Sequence, residues 1–281
     1  MEYITLRNQV KVPLLGFGTF PLRGATLETA LTTAYDAGYR LFDTAWAYEN
    51  EEEIAEIFRN IKREDLFLTS KIKRTQMGGR RRYLYLDMKS AKTCYHETCN
   101  RLKTSYCDLY LLHHYFEKCS KVYRDVRRMY DKGEIRAYGV SNFGIEHLQK
   151  IYNQFGEYPM INQIEFHPFR NQTALVNFCR EHDIRIQAYA PFTHGDGMKE
   201  LLSNVDLQSI ATKHNKTVPQ IILRWIVQQG IAVIPRSTNV ERIRENINIF
   251  DFALTDDEMG YVYSLNREET YGFFAKHEHC K

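Results

Sequence analysis

Short apolar runs rich in β-branched residues alternate along this chain with longer stretches in which apolar positions recur every three or four residues. The short runs are Leu14–Phe17, Leu41–Asp43, Leu66–Lys71, Asp108–His113, Ala137–Ser141, Met160–Glu165, Arg185–Tyr189 and Ala232–Pro235. Most are apolar at consecutive positions, as expected for parallel strands covered by helices on both faces. The longer stretches read as amphipathic helices. Leu27, Leu31, Ala34 and Tyr35 form one stripe, ended by Gly38. Ile54, Ile57, Phe58 and Ile61 form a second, opened by Asn50 as a capping residue and by an acidic first turn. Ile145, Leu148, Ile151, Tyr152 and Phe155 make a third, and Thr255-Asp256-Asp257-Glu258 reads as a capping box that opens a last helix. Tyr3–Thr5 and Val10–Val12 predict a hairpin ahead of the first long strand.

Eight strands each followed by a helix predict a (β/α)8 TIM barrel, because right-handed crossovers keep successive strands parallel. A doubly wound sheet would want G-x-G-x-x-G after its first strand, and Gly16-Phe17-Gly18-Thr19-Phe20-Pro21 is not that motif. No linker, repeat or low-complexity segment divides residues 1–281, so one domain is expected, with an N-terminal hairpin and a short C-terminal tail.

Composition narrows the function classes. With 43% hydrophobic and 26% charged residues, the chain fits neither a disordered nor a membrane protein. A net charge of +3 is too small to announce a nucleic-acid partner. Cys94, Cys99, Cys107, Cys119, Cys179 and Cys280 contain no C-x-x-C pair and read as free thiols in a reducing compartment. Met1 to Val10 lacks a secretory pattern, and no apolar run approaches a membrane span. A cytoplasmic monomer acting on a small molecule is the expectation.

A barrel carries its active site at the C-terminal ends of the strands. Asp43, Lys71 and His113 end three neighbouring strands, and Tyr48 lies in the loop after the first of them. Each has an ordinary reading: a turn residue, a snorkelling lysine, a hydrogen-bonded core histidine. Together they suggest a mechanism. An ammonium beside a phenol favours the phenolate and lowers a pKa that is otherwise near 10. A partly buried ammonium needs a carboxylate partner, which Asp43 supplies, and an imidazole on the next strand can hydrogen-bond a carbonyl. The set is suited to acid-assisted carbonyl reduction. Near the other end of the chain, Arg236 and Arg242 flank Ser237 and Thr238 just before a helix that begins near Asn239. Guanidinium forks at a helix start attract phosphate, so a phosphorylated ligand is one reading. A solvated basic helix start is the alternative.

The chain resembles the aldo-keto reductases over nearly its whole length. The resembling segments are Gly16-Phe17-Gly18-Thr19, Phe42-Asp43-Thr44-Ala45 with Tyr48, Leu68-Thr69-Ser70-Lys71 and Asp108-Leu109-Tyr110-Leu111-Leu112-His113. They continue with Gly139-Val140-Ser141-Asn142-Phe143, Asn162-Gln163-Ile164-Glu165 and Ile234-Pro235-Arg236-Ser237-Thr238, with Arg242, Glu245 and Asn246 downstream. The resemblance implies a catalytic tetrad of Asp43, Tyr48, Lys71 and His113, with Tyr48 as general acid and His113 orienting the carbonyl. It implies NADPH/NADP+ extended over the barrel mouth, no metal, and a small carbonyl substrate. Ser141, Asn142 and Gln163 match residues that hold the nicotinamide carboxamide, Tyr189 matches the aromatic residue stacked on its ring, and Gly18 and Thr19 line the same groove. Ile234, Arg236, Ser237, Thr238, Arg242, Glu245 and Asn246 match the adenosine end.

Four positions depart from the family pattern: His114 and Phe20 where tryptophan is common, Ala190 where serine is common, and Arg236 where lysine is common. The first two alter the expected substrate pocket and none touches the tetrad. The stretch Lys73 to Arg82 carries Lys73, Arg74, Arg80, Arg81 and Arg82 around Gly78-Gly79. Such a charge run reads as a solvated loop, or else as a glycine-hinged flap that draws in anionic substrates. Tyr271, Phe273 and Phe274 in the tail either wall the pocket or pack outside the barrel. Two other functions remain open: a non-catalytic nicotinamide-nucleotide-sensing subunit, and a Schiff-base lyase using Lys71. The lyase needs a deprotonated lysine, which Asp43 opposes.

Overall fold

Strands apolar on both faces bury themselves by closing into a cylinder under a coat of helices. The computed structural model describes residues 2–72, 91–116 and 119–270, and the backbone of 75–77 and 82–84. An antiparallel hairpin, β1 (Tyr3–Thr5) and β2 (Lys11–Pro13), opens the chain with Ile4 opposite Val12. The barrel strands are β3 (Gly16–Gly18), β4 (Leu41–Asp43) and β5 (Phe67–Lys71), then, after a short outlying pair β6 (Thr75–Met77) and β7 (Arg82–Leu84), β8 (Leu109–Leu112), β9 (Tyr138–Ser141), β10 (Ile161–Glu165), β11 (Arg185–Tyr189) and β12 (Ala232–Val233). All eight run parallel, each beside its predecessor. The first and last meet where Leu15 pairs with Val233, the Val233 N–H donates to the Leu14 carbonyl at 2.7 Å, and the Gly18 N–H donates to the Pro235 carbonyl at 3.0 Å.

The helical coat comprises α1 (Gly24–Asp36), α2 (Glu51–Ile57), α3 (Ala91–Arg101), α4 (Cys119–Asp131), α5 (Ile145–Phe155) and α6 (Thr173–Glu181). Three helices, α7 (Gly195–Ser203), α8 (Val205–Lys213) and α9 (Val218–Gln228), follow β11. The two after β12 are α10 (Val240–Asn246) and α11 (Asp256–Ser264). The predicted capping box is present: Thr255 Oγ1 accepts from the Glu258 N–H at 3.3 Å, and Glu258 Oε2 accepts from the Thr255 N–H at 3.0 Å. Within β9, Gly139 is dictated by its neighbour, since a Cβ there would lie 2.4 Å from the Ile161 carbonyl oxygen. Among the described residues no helix is long and apolar enough to cross a membrane, and Cys94, Cys99, Cys107, Cys119 and Cys179 are free, buried thiols. Cys280, the aromatic tail from Tyr271 onward, and Lys73, Arg74, Gly78, Gly79, Arg80 and Arg81 lie outside the described residues.

Asp108, just before β8, anchors the barrel at the end opposite the site. Its fully buried carboxylate takes Arg63 at 2.6 Å, the Leu68 N–H at 2.9 Å, and Arg136. Removing one member of a buried ion pair costs about 3–5 kcal/mol, and the partial exposure of both guanidiniums favours the lower end. Asp108→Ala is therefore expected to lower stability by about 3 kcal/mol. A urea titration would show it as a lower midpoint with an unchanged slope; an unshifted midpoint would count against the cluster's role.

Candidate active site

Strand ends set the positions of the polar groups. Asp43 is the last residue of β4 and Lys71 the last of β5, while His113 is the first residue past β8. Tyr48 closes a single 3-10 turn, Trp46–Tyr48, which starts from extended Ala45 and stops at left-handed Glu49. That turn folds the phenol back toward the barrel mouth. Lys71 Nζ then meets Asp43 Oδ1 at 2.5 Å, the Thr44 carbonyl at 2.9 Å and the Tyr48 hydroxyl at 3.4 Å. These three acceptors occupy the three protons of the ammonium. The His113 ring stands edge-on to Tyr48, with centroids 5.7 Å apart. All four sequence-predicted tetrad residues are thus brought together.

The electrostatics differ from the simple expectation. Lys71 is fully buried and Asp43 nearly so. Burial pushes the Asp43 carboxyl up and the Lys71 ammonium down, each opposed by the charge of the other. The Tyr48 phenol is not depressed: burial, and secondarily the Asp43 charge, hold it well above its ordinary value. Burial is the larger cause, and the Asp43 carboxylate, in contact with Lys71, adds to it. The phenol therefore stays protonated at neutral pH, the form a proton donor needs.

A second group gathers on the far side of the mouth. The ladder sets Gln163 beside both Ser141 and Gln187. Gln163 Nε2 donates to Asp43 Oδ2 at 2.7 Å and to Gln187 Oε1 at 2.6 Å, tying this group to the tetrad. Ser141 Oγ donates to the Gln163 carbonyl at 3.0 Å. Asn142 has φ 62°, a left-handed conformation that asparagine tolerates better than most residues. Its Oδ1 accepts from the Tyr189 hydroxyl at 2.7 Å, while its Nδ2 faces Ser141 Oγ at 3.0 Å, the His113 carbonyl at 3.2 Å and His114 Nδ1 at 3.2 Å.

The remaining predicted contacts are spread along the β3–β12 seam. Gly18 sits there because a Cβ would come within 3.0 Å of the Ile234 carbonyl oxygen. Thr19 is spent internally: Oγ1 donates to the Asp43 carbonyl at 3.0 Å and accepts from Asn50 Nδ2 at 3.2 Å, with no surface exposed to the groove. Ile234 is buried, Ser237 half-buried, and Arg236, Thr238 and Arg242 are exposed. Neither arginine makes an ion pair among the described residues. Asn239 caps α10, its Oδ1 accepting from the Arg242 N–H at 2.8 Å. Glu245 and Asn246 form the last turn of that helix, half-buried and buried respectively.

Several residues escaped sequence reasoning. Asn50 stands at the N-cap of α2, as expected, but its side chain does not cap the helix. Fully buried, it accepts from Thr44 Oγ1 at 2.6 Å and donates to Thr19 Oγ1 and the Leu22 carbonyl, each at 3.2 Å, which pins the loops after β3 and β4 together. Gln187 was hidden in a strand read only for its apolar positions. In the turn before α7, Thr193 Oγ1 is buried without a hydrogen-bond partner among the described residues. The neighbouring His194 is lowered in pKa by burial and lies within reach of the charges of Glu165 and Arg236. The signal for this turn was Thr193-His194-Gly195-Asp196-Gly197, polar and glycine-rich, running into the start of a helix. Of the departures, Phe20 is exposed with its ring 4.9 Å from Tyr48, and His114 stacks on His113.

Comparison with known proteins bears on this arrangement. A model of the Aldo/keto reductase family matches residues 14–267. The chain belongs to that family. It is 39% identical over 270 residues to the uncharacterised oxidoreductase YtbE of Bacillus subtilis, covering 93% of this chain and 92% of that one. It is 36% identical to the glyoxal reductase of the same organism, covering 96% and 95%. Among solved structures, MGS-M4, an aldo-keto reductase enzyme from a Medee basin deep-sea metagenome library, superposes with TM-score 0.86 at 34% identity, covering 95% and 96%. This aldo/keto reductase is accordingly an oxidoreductase on a (β/α)8 barrel, as the sequence implied.

Proposed function

We propose that this aldo/keto reductase uses NADPH to reduce the carbonyl of a small aldehyde or ketone, with Tyr48 as general acid. The observation that carries the reading is the run of contacts from Asp43 through Lys71 to the Tyr48 hydroxyl, beside His113 at the strand ends. The residues present fit the cofactor. Two exposed guanidiniums, Arg236 and Arg242, lack ionic partners among the described residues and suit a 2′-phosphate. The buried Thr193 hydroxyl offers an unused polar atom in the turn before α7, and Ser141, Asn142, Gln163 and Tyr189 provide amide and aromatic contacts for a nicotinamide. When bound, NADPH supplies the hydride, leaving NADP+. Tyr48 gives its proton to the carbonyl oxygen, His113 holds that oxygen, and Lys71 stands beside the phenolate that forms. Buried free thiols fit a reducing, cytoplasmic setting.

Following NADPH oxidation against aldehydes, ketones and dicarbonyls tests the reading. Turnover of at least one small carbonyl is expected, and a protein that binds NADPH but turns over none would be the nucleotide-sensing alternative. The lyase alternative is disfavoured because Lys71 is held by three acceptors; a borohydride-trapped adduct on Lys71 would revive it.

Cofactor preference has its own test. A charge-assisted hydrogen bond is worth about 1.5–3 kcal/mol, so Arg236→Ala is expected to weaken NADPH binding about ten- to a hundredfold and to change NADH binding little. Titration by protein fluorescence reads both constants. Equal losses for the two would mean that Arg236 does not recognise the phosphate.

A further inference from the structure

Gln187 has no exposed surface, and the ladder sets it between Gln163 on β10 and Ala232 on β12. Its Nε2 is buried without a hydrogen-bond partner among the described residues. An unsatisfied buried donor is destabilising, and a methionine would fill the same space without one. Packing alone therefore does not account for a glutamine here. Its one hydrogen bond does: Gln187 Oε1 accepts from Gln163 Nε2 at 2.6 Å. The orientation of both amides is forced from the Asp43 end. The proton between Asp43 and Lys71 lies on the Oδ1 side of the carboxyl group, so Oδ2 can only accept. Gln163 must present its NH2 group to Oδ2, at 2.7 Å, and not its oxygen. The second N–H of that group goes to Gln187, which commits both donors inside the barrel. Gln163 Oε1 is left without a hydrogen-bond partner among the described residues.

We propose that Gln187 is a positioning residue for the cofactor. By taking the second N–H of Gln163 it fixes that amide, with the NH2 group on Asp43 and the carbonyl oxygen free to accept from the carboxamide N–H of a nicotinamide. This rests on the NADPH reading above. Without Gln187 Oε1, Gln163 keeps one N–H on Asp43 but its other N–H is unpaired. The amide can then swing, and a ligand meets a donor as readily as an acceptor. Gln187 acts through Gln163 and not on the reacting atoms, and it ties the cofactor's subsite to the carboxylate that holds Lys71.

The test is a binding measurement with NADP+ and its 3-acetylpyridine analogue, which keeps the carboxamide's carbonyl oxygen and carries a methyl group in place of the NH2. Titration by protein fluorescence reads both dissociation constants. The wild-type protein is expected to bind NADP+ about three- to tenfold more tightly than the analogue, the usual worth of one neutral hydrogen bond. In Gln187→Met, which keeps the volume and removes the acceptor, that preference is expected to disappear. Its urea midpoint should be no lower than that of the wild type, since the unpaired Nε2 goes with the lost acceptor. Gln187→Glu keeps an oxygen at the same reach, burial favours its neutral acid, and most of the preference should be retained. An unchanged preference in the Met variant overturns the assignment, as does a Glu variant that discriminates no better than the Met one. An equal loss for both ligands with a lower urea midpoint overturns it too, because Gln187 would then be structural. A wild-type protein that binds NADP+ and the analogue equally well overturns the assignment and leaves the reductase reading standing; one that binds no NADP+ ends both.

Discussion

Tyr48→Phe is expected to lower kcat for carbonyl reduction about a hundred- to ten-thousandfold while leaving NADPH affinity nearly as it was. The substitution deletes one hydroxyl and keeps the ring that packs against Phe20 and His113. What disappears is the only hydroxyl within reach of Lys71 Nζ among the described residues, and with it the proton that the developing alkoxide needs. The pH dependence separates this role from a merely structural one. Because burial and the Asp43 charge raise the phenol's pKa, the acid form dominates through neutral pH. Wild-type reduction should therefore hold level across neutrality and fall only as strongly alkaline conditions ionise Tyr48. The Phe variant should lose that alkaline limb along with its rate. Near-normal turnover in the variant, or an alkaline limb that survives it, would falsify the acid assignment.

How much of this was legible before any coordinates depended on what each residue's partners were. The barrel was legible because its strands are apolar on both faces, a pattern that needs no knowledge of neighbours. The tetrad was legible because charged or polar residues at the ends of such strands are conspicuous. Asn50 stands at the N-cap as read, but the use of its side chain was not legible, since nothing local reveals that Thr19, Thr44 and Leu22 compete for its amide. Gln187 and Thr193 were passed over for a similar reason: their importance lies in lateral register and burial, which are properties of the closed barrel. The Tyr48 pKa was misjudged because pairing Lys71 with the phenol left out burial, the larger cause, and counted only one of two charges. In the fold the carboxylate sits closer to the ammonium than the phenol does, 2.5 Å against 3.4 Å.

That same geometry makes Lys71→Met the most damaging single change expected here. Methionine fills a similar volume but removes the only cation bonded to Asp43 among the described residues, leaving a buried carboxylate with the Gln163 amide as its remaining side-chain partner there. Breaking a buried pair in this way costs about 3–5 kcal/mol, and activity should fall at least as far as in Tyr48→Phe, since the phenolate formed on proton transfer would have no neighbouring charge to stabilise it. The sign of the pH dependence follows from linkage. Burial already raises Asp43, and losing Lys71 removes the opposing charge, so the folded state holds a proton over a range where the unfolded chain does not. Stability then falls as pH rises, from the unfolded carboxylate's pKa near 4 up through the raised folded value, and levels off above it. The variant should thus lie nearest to wild type in mild acid and furthest from it at neutral pH. Adding Asp43→Asn in the same chain removes the stranded charge, so the double variant should regain much of the stability at neutral pH and remain inactive. Denaturant titrations of the three proteins at mildly acidic and neutral pH, paired with NADPH assays, would decide the matter. A Lys71→Met protein as stable as wild type at neutral pH, or a double variant no more stable than the single, would mean that the ion pair is not what holds this end of the barrel.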